Sequence, residues 1–316
     1  MATEGSTKAV VTALVANLGI AVSKFVAAGI TGSASMLAEG VHSVADSTNQ
    51  ALLLIGGRRA RRAPSALHPF GYARERYVYA FLVAIILFTL GGLYALYESY
   101  HKITHPQELT SPLVAVVVLL IATGLEGYAL RTAVKEANRT RDGRGWVAFV
   151  RRARAPELPV ILLEDAGALL GLLFALLGVG LSVLTGNGVF DGIATACIGV
   201  LLVSIAIILA TEIKSLLIGE AALPEEVAAI HTALLSTPGV DRIIHLRTMH
   251  LGPEELLVAA KIAIDADADG ATIATTIDDA EARLRRVLPS ARVVYLEPDI
   301  DRQRTPTGAA AAGLGS

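Results

Sequence analysis

The stretch "MLAEGVHSVADSTNQALLLIGG", residues 36–57, decides the fold, because it has the length of a membrane span and yet contains ionisable side chains. About 20 predominantly apolar residues cross a bilayer as a helix. An ionisable side chain at mid-depth costs roughly 2.5 to 3.5 kcal/mol even on the milder insertion scales. Glu39, His42 and Asp46 are therefore expected to serve a function.

The composition favours a membrane protein. Of the 316 residues, 53% are hydrophobic, and the mean hydropathy is +0.56. The net charge of -2 gives no reason to expect a nucleic-acid partner. Cys197 is the only cysteine in the sequence, which excludes an internal disulfide framework and any metal site built on paired cysteines.

Hydropathy and charge together predict an all-α membrane domain over residues 1–215. Arginines concentrate between spans two and three and between spans four and five, whereas Lys102 is the only Lys or Arg in the opposite connections. Basic loops stay in the cytoplasm, so both termini are predicted to be cytoplasmic, and we expect the plasma membrane of a bacterium. The six predicted spans are 9–30, 34–56, 77–97, 112–134, 159–183 and 190–213.

Residues 216–301 have the composition of a small cytoplasmic domain. A helical pattern opens at Pro224, and two runs with strand character, a second helical pattern and a third strand follow. This order predicts an α+β layer, α-β-β-α-β or ferredoxin-like, with its helices on one face of the sheet. The tail 302–316 is too polar and small-residue-rich to form a core, and is expected to be disordered.

The polar residues of span two suggest a metal site. His42 and Asp46 are four residues apart and share a helix face. An imidazole and a carboxylate are half of a tetrahedral zinc site, so another helix must supply the rest. Glu164 and Asp165 in span five are candidates, but adjacent residues differ by about 100° around a helix, so only one is expected to face the site squarely. A position at the membrane headgroups is the alternative for both acids.

Three further charged residues fall within predicted spans. Glu39 lies nearer the outer face and is interpreted as an exit-side, proton-coupling or structural carboxylate. Lys24 and Glu126 are interpreted as ion-pair partners or anchors of local structure rather than as ligands, since a charged lysine repels a cation.

Three quoted segments carry a family resemblance. "TGSASMLAEGVHSVADSTNQALLLIGG" (31–57), "HPFGYARERY" (68–77) and "PVILLEDAGALLG" (159–171) resemble the cation diffusion facilitators, which are proton-coupled exporters of zinc and manganese. The third segment is most similar to the branch that includes the mitochondrial zinc transporter of animals. The resemblance implies a homodimer in a lipid bilayer, with the metal ion and protons as substrates and no permanently bound cofactor.

The resemblance also implies a ligand set made of one pair on span two and one on span five. His42 and Asp46 match the first pair, and Asp165 matches the acid of the second. The partner position is Ile161, which cannot bind a metal ion. The shell can instead be completed by Glu164, by an oxygen of Asn49 or Gln50, or by water. Oxygen ligands favour harder ions, so Mn²⁺ and Fe²⁺ remain alternatives to Zn²⁺.

The cytoplasmic domain departs from the family in its metal ligands. Many members bind regulatory zinc there, but Tyr295 stands where one ligand is expected. His231, His245 and His250 are the remaining candidates for a regulatory site. We therefore expect a dimerisation module with at most a weak metal site.

The sequence thus predicts alternating-access export of a divalent metal in exchange for protons. An imidazole titrates near neutral pH, so protons and Zn²⁺ compete for the same lone pair. An intramembrane metalloprotease is disfavoured, because no glutamate adjoins His42 as a base. The remaining alternative is a non-transporting metal sensor or scaffold of the same fold, which Ile161 and Tyr295 keep open.

Overall fold

A computed structural model of the chain describes residues 2–31, 34–106, 112–141 and 143–300. The chain divides into two compact units, Met1–Ile218 and Gly219–Ser316. The boundary expected after residue 215 falls near that division, and the tail predicted over 302–316 lies outside the described residues.

The first unit is helical throughout its described elements. They are α1 (Ala2–Thr31), α2 (Ala34–Arg59), α3 (Glu75–Ile86), a π-helical segment (Leu87–Leu93), α4 (Tyr94–Thr104), α5 (Pro112–Thr140), α6 (Trp146–Arg152), α7 (Glu157–Thr185) and α8 (Val189–Ile218).

Within the described residues, four helical stretches are long and apolar enough to cross a membrane. They are Glu75–Thr104, Pro112–Thr140, Glu157–Thr185 and Val189–Ile218, and a shorter apolar helix covers Asn17–Ile30 inside α1. The polar side chains of α2 lower its hydropathy. The membrane domain is thus confirmed, whereas the count of six spans stays a prediction.

Two features of the helical unit have no counterpart in the predicted spans. The third span is not a uniform α-helix, because the π-helical segment Leu87–Leu93 separates α3 from α4. The short helix α6 lies in the basic connection before α7. Its seven residues are too few to produce a hydropathy signal, and their charge marks them only as a loop.

Glycines bring the third span against α8. A Cβ atom at Gly92 would lie 2.5 Å from a methyl carbon of Val203, and one at Gly199 would lie 2.7 Å from Leu96 Cγ. Small residues on both partners let two helix backbones approach closely in a membrane. The contact fixes the π-helical segment against α8 and so positions the elements around the buried polar residues of α2.

The second unit contains α9 (Pro224–Leu235), β1 (Arg242–Gly252), β2 (Glu255–Ala263), α10 (Gly270–Val287) and β3 (Val293–Asp299). The sheet order is β1-β2-β3, with β1 and β2 antiparallel and β2 and β3 parallel.

The core of this unit follows from the period of its strands and helices. Leu256, Val258 and Ile262 alternate along β2 and are fully buried, while Ala280 and Leu284 are buried one turn apart on α10. A period of two on the strand and four on the helix places these side chains between the sheet and the helices. The predicted α-β-β-α-β order is confirmed.

The glycine contact between the third span and α8 predicts that Gly199→Ala lowers stability. The added methyl group would meet Leu96 at its Cγ and at its backbone nitrogen, 3.0 Å away, and overpacking of this kind costs about 1–3 kcal/mol. Thermal unfolding of the detergent-solubilised protein measures the effect. Gly180→Ala on α7 is the matched control, because its Cβ would meet nothing within 4 Å. Equal unfolding temperatures for the two variants would contradict the proposed contact.

Candidate metal centre

A stripe of polar side chains on α2 is buried inside the helical unit. His42 and Asp46 are each 2% exposed, and Asn49 and Gln50 are equally well buried. The spacing of four, three and one residues keeps the stripe on one side of the helix. Because these side chains are buried, the polar side of this helix faces protein rather than lipid.

The two acids of α7 are both buried. Glu164 is 2% exposed and Asp165 is 7% exposed. Both carboxyl groups thus lie inside the unit, and the expectation that only one of them faces the site squarely stays a prediction. Glu164 is the one that directly meets α2.

The contact between α2 and α7 is a hydrogen bond between side chains. Asn49 Nδ2 donates to Glu164 Oε1 over 2.7 Å. The carboxyl groups of Asp46 and Glu164 are also close enough to interact with each other. Two buried carboxylates at short range repel each other electrostatically, and a proton or a cation between them relieves the repulsion. The structure thus brings His42, Asp46, Asn49 and Glu164 together.

Several polar atoms of this group have no hydrogen-bond partner among the described residues. They include both ring nitrogens of His42, Asp46 Oδ1 and Glu164 Oε2. His42 Nε2 lies 3.5 Å from Asp46 Oδ2, beyond good hydrogen-bond geometry. Buried polar atoms in native proteins almost always have a partner. Nitrogen and carboxylate oxygen are also the atoms that Zn²⁺ accepts, so the donor set fits a divalent metal ion.

The side chains are near one another but are not arranged as a finished coordination shell. Among the residues that the structure describes, no three His, Cys, Asp or Glu side chains are close enough to hold one ion. A metal ion held by His42, Asp46 and Glu164 would therefore require these side chains to rotate about their side-chain bonds. The Asn49 amide, which donates to Glu164 Oε1, would restrict the rotation of Glu164.

Ile161 does not reach the polar group. It is partly buried and packs against apolar residues, including the cluster around Phe149 and Ala137. The turn of α7 on which the resemblance implies a second ligand is thus part of an apolar core. Glu164, three residues later, supplies the carboxylate that meets α2. Sequence spacing could not show which residue of α7 faces α2. Spacing gives the angles between residues around the helix, but not the rotation of α7 about its own axis.

Two charged residues outside α2 and α7 also lie at this centre. Glu126 on α5 is 2% exposed and interacts electrostatically with Asp46 and Asp165. Lys24 on α1 is fully buried, and its Nζ donates to Ser43 Oγ over 2.8 Å. Both residues fall within predicted spans, but their positions in the sequence do not group Glu126 with the acids of α2 and α7. The sequence signal for Glu126 is that it is an isolated charge in the otherwise apolar run of α5.

The π-helical segment approaches His42. A Cβ atom at Gly91 would lie 3.7 Å from His42 Nδ1. π-Helical turns inside α-helices occur frequently at functional sites. Because Gly91 has no side chain, it leaves room beside the imidazole of His42, and a residue with a large side chain at this position would contact the ring. The proposed exit-side residue Glu39 lies on α2, but its side chain is outside the described part of the chain.

The three histidines of the second unit are separate. His231 is exposed on α9, and His245 is exposed on β1. His250 is 2% exposed, and its Nε2 lies 3.8 Å from Glu226 Oε2 on α9. Tyr295, which stands at an expected ligand position, is exposed on β3. One chain does not bring the three imidazoles together, so a regulatory metal site on them stays a prediction.

Both units of the chain match known protein families. Residues 10–218 match the family described as Cation efflux transmembrane domain, and residues 222–298 match Cation efflux protein, cytoplasmic domain. This chain belongs to the cation efflux family. The resemblance to the cation diffusion facilitators is confirmed, and the second unit is the cytoplasmic domain of the family.

Individual relatives of this cation efflux protein point to the same branch. It is 32% identical to the mitochondrial proton-coupled zinc antiporter SLC30A9 of Xenopus laevis, over 74% of this chain and 42% of the relative. The human protein of that name is 32% identical over 77% of this chain and 43% of its own length. Metal tolerance protein C4 of Arabidopsis thaliana is 30% identical over 81% and 57%.

These relatives limit what the similarity shows. The chain spans less than half the length of the animal proteins it matches. The family consists of transporters, so the prediction that the chain is not an enzyme is confirmed. The prediction of the branch is also confirmed, whereas the relatives' own activity is a property of those longer proteins.

The hydrogen bond from Asn49 predicts that Asn49→Ala weakens metal binding. Loss of a side chain that orients a ligand costs about 10- to 100-fold in metal affinity. The Zn²⁺ concentration that raises the unfolding temperature of the purified protein reports this affinity. Thr48→Ala is the matched control, because Thr48 is exposed on the same helix and its hydroxyl donates to the Val44 carbonyl. An unchanged Zn²⁺ dependence in Asn49→Ala would contradict the role of Asn49.

Proposed function

We propose that the chain is a proton-coupled secondary transporter that exports divalent transition-metal cations from the cytoplasm, with Zn²⁺ as the first candidate. The observation that carries the proposal is the buried group of His42 and Asp46 on α2 against Glu164 on α7. The family match and the names of the animal relatives support the same function.

The charge of the buried group supports a cation as its ligand. Four carboxyl groups lie in or beside it, on Asp46, Glu126, Glu164 and Asp165, and Lys24 is the buried cationic partner. Carboxylates outnumber cations, so a divalent ion or protons can balance them. We assign His42, Asp46 and Asp165 as metal ligands, with Glu164 and Asn49 completing or positioning the shell.

Proton exchange follows from the types of ligand. A metal ion binds neutral imidazole and ionised carboxylate, so each ligand that takes a proton releases its hold on the ion. Protons arriving from the far side thus favour release there. Departure of the ion leaves carboxylates that protons neutralise, and the emptied site can return to the cytoplasmic side. We place Glu39 on the exit route by its position in α2.

The metal preference is set by the ratio of nitrogen to oxygen. One imidazole, from His42, faces several carboxylate oxygens and the Asn49 amide. Zinc accepts this mixture, and the naming of the animal relatives as zinc antiporters supports it. The excess of oxygen predicts that Mn²⁺ and Fe²⁺ compete for the same site.

The outer surface of the helical unit supports a lipid bilayer as its surroundings. Large apolar side chains such as Leu120, Ile121, Leu177 and Val200 are exposed on α5, α7 and α8. We propose that both termini lie on the cytoplasmic side, because arginine-rich connections tend to stay in the cytoplasm. A bacterial plasma membrane remains our prediction of the compartment, although the animal relatives are mitochondrial.

Dimerisation is the proposed role of the second unit. Its family match is to the cytoplasmic domain of cation efflux proteins. The face of its sheet that carries His245 and Tyr295 is exposed in the single chain. We propose a homodimer, with the histidines of this unit as a secondary regulatory metal site.

Transport in proteoliposomes tests the proposed function. Protein reconstituted with an imposed pH gradient is expected to carry Zn²⁺ against the direction of proton movement. Asp46→Asn is expected to retain less than about one tenth of wild-type flux, because it removes a ligand that also carries a proton. Glu164→Gln and Asp165→Asn show which acid of α7 is required. Glu136→Gln is the control, since Glu136 is a half-exposed carboxylate on α5 paired with Arg139.

Three outcomes would contradict this proposal or a part of it. Flux in Asp46→Asn equal to that of the wild type would show that the buried group is not the transport site. Zinc binding without flux in the wild type would favour the non-transporting sensor. Flux that is independent of the pH gradient would remove the protons from the mechanism.

A further inference from the structure

A second group of potential metal ligands lies at the end of the α3–α4 span. His101 is in the last turn of α4, and His105 follows as the C-cap residue of that helix. Both imidazoles are exposed. They are the only two of the seven histidines that are four residues apart in the sequence. The pair lies at the opposite end of this span from Glu75, where the arginine-rich segment 58–76 enters it.

The two rings are close enough to share an ion after a small rotation. Their centroids are 6.4 Å apart, and the ring planes differ by 31°. Two imidazoles on one tetrahedral zinc have their centroids about 5 Å apart, given zinc-to-nitrogen bonds of about 2.0–2.1 Å. The remaining difference of about 1 Å is within reach of exposed side chains. A separation of three intervening residues is also typical of histidine pairs in zinc sites.

The Thr104 hydroxyl lies beside the His105 ring. Thr104 Oγ1 is 3.0 Å from His105 Nδ1, and it is 2.8 Å and 3.2 Å from the carbonyl oxygens of Tyr100 and His101. When the hydroxyl proton goes to one of these carbonyls, the oxygen can accept from an Nδ1–H group, and the lone pair of the imidazole is then on Nε2. An N–H group held in this way is what orients histidine ligands in metal sites.

Aromatic contacts hold His101 beside its partner. Its ring packs edge-to-face on Tyr97, with centroids 4.7 Å apart, and also contacts Tyr100 at 6.2 Å. These tyrosines are 60% and 67% exposed, as expected of an aromatic belt at a membrane surface. The rings therefore restrict His101 at the level where the span leaves the membrane.

The surrounding charges permit a cation at this place. Lys102 lies between the two histidines in sequence, but its Nζ is buried 3.6 Å from Asp191 Oδ2 on α8. Its charge is thus directed away from the exposed imidazoles. Glu98, three residues before His101, provides a half-buried carboxylate on the same side of α4.

We propose that His101 and His105 form a surface site for a divalent transition-metal ion, with water completing the shell. The site is distinct from the buried group on α2 and α7, and its existence does not depend on transport. It would hold an ion at the His105 end of the α3–α4 span, which is the end remote from the arginine-rich segment 58–76. A simple interfacial anchor made of His and Tyr side chains is the alternative that the experiment must exclude.

Electron paramagnetic resonance with copper tests the pair directly. Full-length protein in lipid nanodiscs exposes both membrane faces to Cu²⁺ nitrilotriacetate, which leaves coordination positions for imidazole. Nitrogen modulation from two imidazoles on one copper is expected in the wild type. It should be lost in His101→Ala and in His105→Ala. Thr104→Val is expected to weaken copper binding about tenfold, because the ring loses the partner that orients it.

The controls separate this pair from other histidines and from misfolding. His68→Ala should keep the two-imidazole signal, since His68 is a single histidine bonded to Tyr72. His105→Gln, checked by monodisperse elution, guards against an unfolded alanine variant. A wild-type spectrum with only single-imidazole binding would overturn the proposal. A two-imidazole signal that survives both His105 substitutions would overturn it as well.

Discussion

The structure depends on the requirement that polar groups buried away from water find partners. Helix α2 brings His42, Asp46 and Asn49 into the interior, where a polar atom without a partner costs about 1–3 kcal/mol. The amide nitrogen of Asn49 meets this requirement by donating to Glu164, and so joins α2 to α7 across the centre of the helical unit. The atoms left without protein partners, on His42, Asp46 and Glu164, then define where a cation or a proton can bind.

The buried polar site is also tied to the packing of the helices around it. The third span lies against α8 through Gly92 and Gly199, and its π-helical segment places Gly91 beside His42. On the other side, α1 contributes Lys24, whose ammonium group donates to Ser43 next to His42. Movement of α2 relative to the third span or to α7 would therefore change the surroundings of the imidazole and of the carboxylates together. In the proposed mechanism, the conformation of the helices would therefore depend on occupancy of the site.

Much of the fold could be predicted from the sequence because long periodic signals determine it. Apolar length located the helices of the membrane unit, and strand-like and helical patterns gave the order of elements in the second unit. The stripe of His42 and Asp46 was recognised because ionisable residues stand out in an apolar segment. The π-helical segment and α6 were missed because a single altered turn and a seven-residue helix leave no periodic signal.

The details of the candidate site were harder to predict because they depend on how helices are rotated against each other. Sequence spacing could offer Glu164 and Asn49 as separate compensations for Ile161, but it could not show that they bond to each other. Nor could it show that Ile161 belongs to an apolar cluster, or that Glu126 on α5 lies with the acids of α2 and α7. The most direct measurement of the central claim is a zinc-edge anomalous difference map from crystals of the full-length protein with Zn²⁺. The account predicts a peak about 2.0–2.2 Å from a nitrogen of His42 and from carboxylate oxygens of Asp46 and of Glu164 or Asp165. Anomalous peaks found only elsewhere, with His42 and Asp46 unbound, would contradict it.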